Sequence, residues 1–338
     1  MTTTTDWNQK LAPFKKSDVR RSLFELSLTL GALAGLWGLG WLAWNMGHWL
    51  VALSLTVPAA MFLVRLFMIQ HDCGHGSFFS DQNANTWVGR AIGLLTLTPF
   101  SYWRRTHAMH HATSGNLDRR GLGVIEMLTV DEYLALSPFK RLGYRLYRNP
   151  LVMFGIGPAF VFFIQQRLPV GLMKEGWRPW LSTLANAAGI ALGLTILSLL
   201  FGPAPVLVIN AVTMLFAATI GVWLFYVQHQ FEGVAWTRNS QWDRDDAALH
   251  GSSHYDLPTP LRWLTANIGI HHVHHLSSRI PFYRLPDVMK AFPELKGVSR
   301  IGLWESFKTV RLALWDEAAQ KLVSFRELRR ARLSLGHY

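Results

Sequence analysis

Two long stretches without a charged residue constrain this chain more than any other feature of its sequence. No Asp, Glu, Lys or Arg occurs between Glu25 and Arg65, or between Arg178 and Glu232. A helix that crosses a bilayer needs about 20 predominantly apolar residues. Each stretch is therefore long enough for two crossing helices and a tight turn, and the buried core of a soluble protein is a poor alternative for two such segments.

The stretches predict two transmembrane hairpins. Their short turns, Asn45–His48 and Gly202–Ala204, contain no Lys or Arg, whereas basic residues are dense before the first hairpin, between the hairpins and after the second. Because cytoplasmic segments carry the excess of Lys and Arg, we expect both termini and the central segment to face the cytoplasm. The first residues lack the apolar stretch and cleavage site of a signal peptide. The predicted spans are Leu26–Trp44, Trp49–Met68, Trp180–Phe201 and Pro205–Gln228.

Two further apolar segments, Ala91–Phe100 and Asn149–Gln166, are expected not to cross the membrane. The first is too short, and the second is marginal and is interrupted by Gly155, Gly157 and Pro158. We expect both to form helices that lie in the membrane interface or dip into it.

Histidine is the second informative feature. Nine of the 14 histidines lie in three five-residue windows, at residues 71–75, 107–111 and 271–275. Residues i, i+3 and i+4 of a helix share a face, so the histidines of each window point the same way, except His272. Imidazole binds iron, zinc, copper and nickel, and eight imidazoles fit two metals with about four nitrogens each. The predicted ligands are His71, His75, His107, His110, His111, His271, His274 and His275.

The predicted topology brings all three windows to one side of the membrane. No span separates the first two windows, and two spans separate the second from the third. We therefore predict an all-α integral membrane protein in which two hairpins carry a cytoplasmic helical cap with a dinuclear metal site. The predicted parts are a cytoplasmic N-terminal segment (1–25), hairpin 1 (26–68), the first part of the cap with interfacial helices (69–178), hairpin 2 (179–228), and the second part of the cap with a basic tail (229–338).

His229 is predicted to be a ninth ligand. It follows the fourth predicted span directly, at about the depth at which His71 follows the second. A histidine beside an apolar span loses hydration unless it finds a partner, and an octahedral metal ion has room for more than four nitrogens. The alternative is a hydrogen bond from His229 to a nearby carbonyl or headgroup.

Other polar residues carry weaker expectations. Arg65 is expected to extend to the lipid headgroups. His48 and His337 are expected to be incidental, and His250 and His254 either support the metal site or lie in a solvated loop. Ligating imidazoles usually pass their second N–H to an oxygen. Four side chains are candidates for that oxygen: Asp72, Asp118, Asp256 and Asn267.

At the histidine windows the sequence resembles the membrane-bound fatty acid desaturase family, whose histidine boxes read HxxxH, HxxHH and HxxHH. The resemblance covers about residues 60–290 and includes motifs similar to the bacterial acyl-lipid and Δ12-type branch. It implies two non-haem iron ions, molecular oxygen, a long acyl chain of a membrane lipid, and a bacterial inner membrane. Related enzymes also use a histidine after the fourth span, as at His229. The branch motifs are Gly74–Phe79, Leu95–Pro99, Phe225–Glu232 and Ser278–Pro281.

The chemistry implied by this resemblance needs a separate source of electrons. Removing hydrogen from an unactivated methylene requires a redox cofactor, since no side chain can supply that oxidant. The sequence has no CxxCH haem motif, no cytochrome b5 motif, no glycine-rich dinucleotide fingerprint, and a single cysteine, Cys73. We therefore expect a separate donor, a ferredoxin with its reductase. The net charge of +12 comes with no nucleic-acid-binding motif, and the sequence does not indicate an oligomeric state.

Two alternatives to a desaturase stay open at this point. A hydroxylase, ketolase or epoxygenase could use the same scaffold, because the same oxidant can return oxygen to the carbon radical. A non-enzymatic membrane protein that binds metal or haem is the alternative from another class. A zinc hydrolase is less favoured, since no HExxH motif is present.

Overall fold

The computed structural model describes residues 6–334, and these residues are mostly helical, as predicted. His337 lies outside this range. The helices are α1 (Trp7–Lys10), α2 (Val19–Asn45), α3 (Trp49–Ser54), α4 (Thr56–His75), α5 (Gln82–Leu95), α6 (Phe100–Thr113), α7 (Val130–Ala135), α8 (Pro138–Tyr147), α9 (Gly157–Ala159), α10 (Trp177–Phe201), α11 (Pro203–His229), α12 (Arg244–His250), α13 (Thr259–Leu264), α14 (His271–Leu276), α15 (Leu285–Ala291), α16 (Leu303–Ser306) and α17 (Phe325–Ser334).

Four helical segments of residues 6–334 are long and apolar enough to cross a membrane. The second combines α3 and α4, and each contains one predicted span and extends beyond it. The last residue of α4 is His75. Gly76 terminates the helix, with a φ of 65° in the left-handed region that glycine favours. The first histidine window therefore lies on the last turns of a long helix rather than after it. The four segments are Val19–Asn45, Trp49–His75, Trp177–Phe201 and Pro203–His229.

The turns of the two hairpins lie at the same end of the helix bundle. The side-chain amide of Asn45, at the end of α2, donates a hydrogen bond of 3.0 Å to the carbonyl of Phe201, at the end of α10. The Phe201 ring also packs against Trp41, with 4.9 Å between ring centroids. Because each hairpin reverses the chain, the C-terminal ends of α4 and α11 lie together at the opposite end.

Helix α4 is the centre of the bundle. It packs against α2, α11 and α5, and its side chains Leu66 and Ile69 are fully buried. Helix α10 packs mainly on α11 and exposes large apolar residues such as Leu192 and Leu199, as a helix that faces lipid would. The helix that carries the first histidine window is thus held on several sides.

Within residues 6–334, five short strands correct the expectation of a purely helical chain. Strand β1 pairs in parallel with β4, which pairs antiparallel with β5, and β2 pairs in parallel with β3. The β1–β4 pair joins the segment between the hairpins to the C-terminal segment, so it holds the two parts of the cap together, whereas the other two pairs lie within the C-terminal segment. Runs of two or three residues have no detectable alternation, which is why the sequence pattern missed them. The strands are β1 (Leu128–Thr129), β2 (His254–Asp256), β3 (Arg300–Gly302), β4 (Leu314–Asp316) and β5 (Lys321–Val323).

The prediction of one helix over Ala91–Phe100 is wrong. Helix α5 ends at Leu95, Leu97 adopts a positive φ of 52°, and α6 begins at Phe100. The turn between them is tight, because a Cβ at Gly93 would lie 2.4 Å from the backbone carbonyl of Thr98. This turn directs α6, which carries the second histidine window, back along the end of the bundle.

The segment Asn149–Gln166 forms an irregular helix. It contains the π-helical turns Val152–Ile156 and Phe160–Ile164, on either side of α9. Together with α8 it is long and apolar enough for a membrane segment, but the two parts are bent by 59°. By length and composition such a pair fits a broken span or a re-entrant segment, and the expectation that it lies in the interface remains a prediction.

Arg65 is not a residue that extends to the headgroups, and this prediction is wrong. Its side chain is 1% exposed and forms an ion pair with Glu25 of α2, which is equally buried. It also donates to the backbone carbonyl of Trp263, and its guanidinium lies 4.2 Å from the Trp263 ring centroid. A buried arginine needs such partners, because leaving its charge without a partner in an apolar environment is costly.

Candidate metal centre

The nine predicted ligands lie together at the end of the bundle opposite the hairpin turns. They form two groups of imidazoles that could each hold a metal ion, and within each group one nitrogen per residue lies within 4.8 Å of the others. A five-histidine group contains His71, His75, His107, His111 and His274, and a four-histidine group contains His110, His229, His271 and His275.

Four helices supply these side chains. The i, i+4 spacing on α4 directs His71 and His75 into the five-histidine group. Helices α6 and α14 each contribute to both groups: His110 is separated from its neighbours on α6, and His274 from its neighbours on α14. The sequence predicted that the histidines of each window share one helix face. It did not predict that the histidines of α6 and of α14 would each divide between two groups.

The distances between ring nitrogens match those of ligands on a common ion. In the five-histidine group, neighbouring Nε2 atoms are 3.0 to 3.3 Å apart. In the four-histidine group, the Nε2 atom of His271 lies 3.0 Å from that of His229 and 3.1 Å from that of His275. Nitrogens about 2.1 Å from one metal are about 3.0 Å apart when they bind at right angles. The residues therefore fit two bound metal ions.

His110 gives a second indication of a missing partner. Its side chain is buried, yet neither ring nitrogen forms a hydrogen bond within the described chain. Its ring centroid lies 4.7 Å from that of His229 and 5.1 Å from that of His275. Buried polar atoms are almost always bonded to something, so a metal in the four-histidine group would satisfy this imidazole.

Two of the predicted ligands are oriented by oxygen atoms. The Nδ1 atom of His71 lies 3.3 Å from a carboxylate oxygen of Asp72, and the other oxygen of Asp72 accepts a hydrogen bond of 2.7 Å from the backbone N–H of Phe282. The Nδ1 atom of His229 lies 3.2 Å from the carbonyl oxygen of Gly251. When Nδ1 donates its hydrogen, the lone pair of Nε2 remains free to bind a metal.

The other polar candidates have different partners. Asp118 pairs with Arg238, and Asp256 pairs with Arg300. The amide of Asn267 donates to the carbonyl of Phe282. These three side chains stabilise the cap instead of contacting an imidazole of either group.

The remaining histidines also lie outside the two groups. His272 is fully buried, but its Nε2 atom pairs with the carbonyl of Leu295 at 3.0 Å, on the side of α14 away from the predicted ligands. His254 pairs in the same way with the carbonyl of Lys296, at 2.9 Å. His250 is exposed.

Burial favours the uncharged form of six of the predicted ligands. Loss of hydration is the main cause that lowers the pKa of each of these six histidines well below its usual value, and the neighbouring imidazoles lower each pKa further. A neutral imidazole has a lone pair to offer, so the site is ready to bind metal at pH 7 without first losing protons. The residues concerned are His107, His110, His111, His271, His274 and His275.

A cavity of about 670 Å³ lies beside the histidines, which is a volume typical of a ligand site. It reaches His71, His107 and His271, and it extends between α4, α11 and the irregular segment at residues 152–166. Most of its lining is apolar, and the polar lining residues lie mainly on the cap side. Its volume and lining suit a largely apolar molecule.

Sequence reasoning missed the contribution of Trp103 to this cavity. Its indole lines the cavity and stacks on His107, with 4.6 Å between ring centroids and an interplanar angle of 13°. A Cβ at Gly74 would lie 2.8 Å from the Trp103 ring. Gly74, inside the first histidine window, thus leaves room for the indole. This glycine was the one sign in the sequence that a large side chain packs against the window.

Comparison with known proteins agrees with this geometry. The family model for fatty acid desaturase matches residues 47–304. A fatty acid desaturase of Bacillus subtilis (strain 168) is 43% identical and covers 97% of this chain and 92% of its own length. The sn-1 acyl-lipid omega-3 desaturase (ferredoxin) of Synechocystis sp. is 26% identical over 86% of this chain and 80% of its own. The sn-1 oleoyl-lipid 12-desaturase of Arthrospira platensis is 25% identical, over 77% and 73% respectively.

Proposed function

Because the chain belongs to the fatty acid desaturase family and is therefore an oxidoreductase, we propose that it inserts a double bond into a long acyl chain of a membrane lipid. One observation carries the proposal: the two histidine groups lie directly beside an apolar cavity. The names of the cyanobacterial relatives, which act on acyl lipids, support the substrate class.

We infer that each histidine group holds one non-haem iron ion. Imidazole suits iron, and the nitrogen count of each group leaves at least one position for oxygen on an octahedral ion. When bound, the iron pair would supply the oxidant from molecular oxygen. In the overall reaction, two hydrogens from adjacent methylenes, one O₂, two electrons and two protons give the double bond and two molecules of water.

The chain's own residues have three tasks in this reaction. The imidazoles hold the ions, and Asp72 and the Gly251 carbonyl fix the rings of His71 and His229. The apolar walls of the cavity exclude water and align one carbon pair with the metals, so that the reacting atoms do not have to find each other by diffusion. Trp103 keeps His107 in place by stacking on it.

The electrons are proposed to come from a ferredoxin. The name of the Synechocystis relative specifies that donor, and the sequence shows no electron-transfer motif of its own. A donor that docks on the cap would reach the metals without entering the membrane.

The proposed topology has four spans, with the cap and both termini in the cytoplasm. The convergence of the histidines supports it, since the second and third windows meet only if an even number of crossings separates them. Helices α10 and α11 provide two, and a further crossing by the bent segment α8 with residues 152–167 would make three. We therefore propose that the bent segment enters the bilayer and returns or lies at its surface.

Expression in a host that lacks its own desaturase, together with a ferredoxin and its reductase, tests the proposed function. We expect lipids that have lost two hydrogens, with no such product from a His107→Ala variant. Products that gain one oxygen would identify a hydroxylase or related enzyme instead. An unchanged acyl profile, with two irons bound and electrons supplied, would overturn the proposal.

A further inference from the structure

The face of α11 that lines the cavity changes in size along its length. Its lining residues recur every three or four positions and therefore lie on one side of the helix. Its larger apolar lining residues are Met214, Val222, Leu224 and Phe225, whereas Ala217, Ala218 and Gly221 have a small side chain or none. At Gly221 the cavity wall is the helix backbone itself.

Gly221 is the least filled position of that wall. A Cβ placed on it would meet no atom within 4 Å, and the residue lies in the interior of a regular helix. Glycine weakens a helix interior relative to alanine, and no turn or positive φ requires it here. What the glycine provides is open space in the cavity, about 12 Å along the helix axis from His229, which lies eight residues further on.

The lining residues indicate which end of a substrate would occupy this space. The polar residues Arg120, Glu126 and Gln165 line the cavity on the cap side. Met214 and Leu63, both buried, are the lining residues of α11 and α4 furthest from the histidines along each helix. An ester or other polar group suits the first region, and the methyl end of an acyl chain suits the second.

We propose that residue 221 determines how much acyl chain fits beyond the metals on the methyl side, and so selects chain length and double-bond position. The inference rests on the proposed function, which supplies the acyl substrate. With glycine at 221, the cavity accepts a long methyl-terminal part of the acyl chain beyond the metals. A bulky side chain at residue 221 would exclude acyl chains whose methyl-terminal part extends past it, or would shift these acyl chains toward the cap.

The main test is the product profile of Gly221→Ala and Gly221→Leu in the expression host. One methylene in an apolar pocket changes discrimination about 10- to 200-fold. We therefore expect Gly221→Leu to lower the ratio of the longest to the shortest product at least tenfold, or to move the double bond toward the methyl end. Gly221→Ala should shift the profile in the same direction, by less. A folded Gly221→Leu protein with the wild-type profile would overturn the inference.

Gly193→Leu is the matched control. Gly193 also lies inside a long helix, α10, and a Cβ there would likewise meet no atom within 4 Å, but it does not line the cavity. We expect its product profile to be that of the wild type. An equal shift in both leucine variants would assign the effect to the helices in general and overturn the inference.

A binding measurement separates this inference from the proposed function. The melting temperature of the purified protein is measured with saturated fatty acids of increasing length, since a ligand that binds the folded state raises it. Gly221→Leu should lose the shift given by long chains and keep the shift given by short ones. If this pattern appears but no desaturated product forms, the cavity assignment stands and the proposed reaction falls. Equal shifts for all lengths in both proteins would overturn the assignment.

Discussion

The carboxylate of Asp72 accepts a hydrogen bond of 2.7 Å from the backbone N–H of Phe282, although the two residues are 210 positions apart in the chain. The other oxygen of Asp72 faces Nδ1 of His71. One buried side chain thus connects the first histidine window on α4 to the segment that follows the third window. It orients a proposed ligand and fixes the position of the cap at the same time.

Asp72→Asn is expected to weaken iron binding in the five-histidine group. The amide keeps the size of the side chain but has one oxygen in place of the two that face Nδ1 of His71 and the N–H of Phe282. Losing such a partner typically lowers metal affinity about 10- to 100-fold. Iron per protein after a timed chelator challenge measures the effect. Asp256→Asn is the control, because Asp256 pairs with Arg300 away from the imidazoles. Equal iron retention in both variants would show that Asp72 has no part in holding the metal.

His229→Ala is expected to fold in the membrane, to lose iron from the four-histidine group and to give no product. Three imidazoles would remain in that group. The iron content of the purified protein and the acyl profile of the host are the measurements.

The control for that variant is His272→Ala, since His272 is as deeply buried but pairs with a backbone carbonyl. Its loss leaves the Leu295 carbonyl without a partner, at a cost in stability of about 1–3 kcal/mol, with two irons retained. Two bound irons and normal turnover in His229→Ala would show that His229 is not a ligand and that the centre has eight histidine ligands.

The two hairpin turns are expected to be the parts of the chain exposed outside the cell. In a Cys73→Ser background, cysteines at Met46 and Ala204, both exposed in the structure, should react with an impermeant maleimide in intact cells. Met46 is preferable to Gly47, whose φ of 82° disfavours a side chain. A cysteine at Ala319, exposed on the cap, should react only after the cells are opened. Labelling at Ala319 in intact cells would contradict the four-span topology.

Glu25→Gln is expected to destabilise the protein by about 3–5 kcal/mol, because it leaves the buried Arg65 charge without its partner. The free energy of unfolding in detergent measures this loss. Glu175→Gln, which breaks the exposed pair with Arg105, should cost no more than about 1 kcal/mol.

A double variant, Glu25→Leu with Arg65→Met, distinguishes pairing from packing. If the charge is the cause, the double variant should be more stable than Glu25→Gln alone. A double variant as unstable as the single one would assign the effect to lost packing and to the lost hydrogen bond with the Trp263 carbonyl.

The spans and the histidine clusters could be predicted because both depend on local sequence. A missing charge or an i, i+4 spacing is readable without knowing the rest of the chain, and at each of the four predicted spans the structure has a helical segment long and apolar enough to cross a membrane. It also brings the nine predicted histidines together. The division of these histidines into two groups could not be predicted from the sequence, since it depends on how α6 and α14 approach each other.

The wrong or missing predictions mostly concern residues whose partners are distant in the sequence. Arg65 looked like a residue at the membrane surface, because nothing near it indicated that Glu25 would pack beside it, 40 positions away. The strands were missed for a similar reason: β1 and β4 pair across most of the cap, and each is too short to have a pattern of its own. The turn after α5 was missed because an apolar run gives no sign of the positive φ at Leu97.

The sharing of α6 and α14 between the two histidine groups has a consequence for how the protein is made. Neither group is complete until α14 has been synthesised, so the ribosome releases most of the chain, including both hairpins, before either ion has its full set of nitrogens. With one iron ion in each group, as proposed, metal loading would be a late step of biogenesis. The first ion to bind would fix α6 and α14 against each other and so pre-arrange the second group, and we expect partly loaded protein to be scarce. Cells short of iron should then accumulate empty chains beside fully loaded ones.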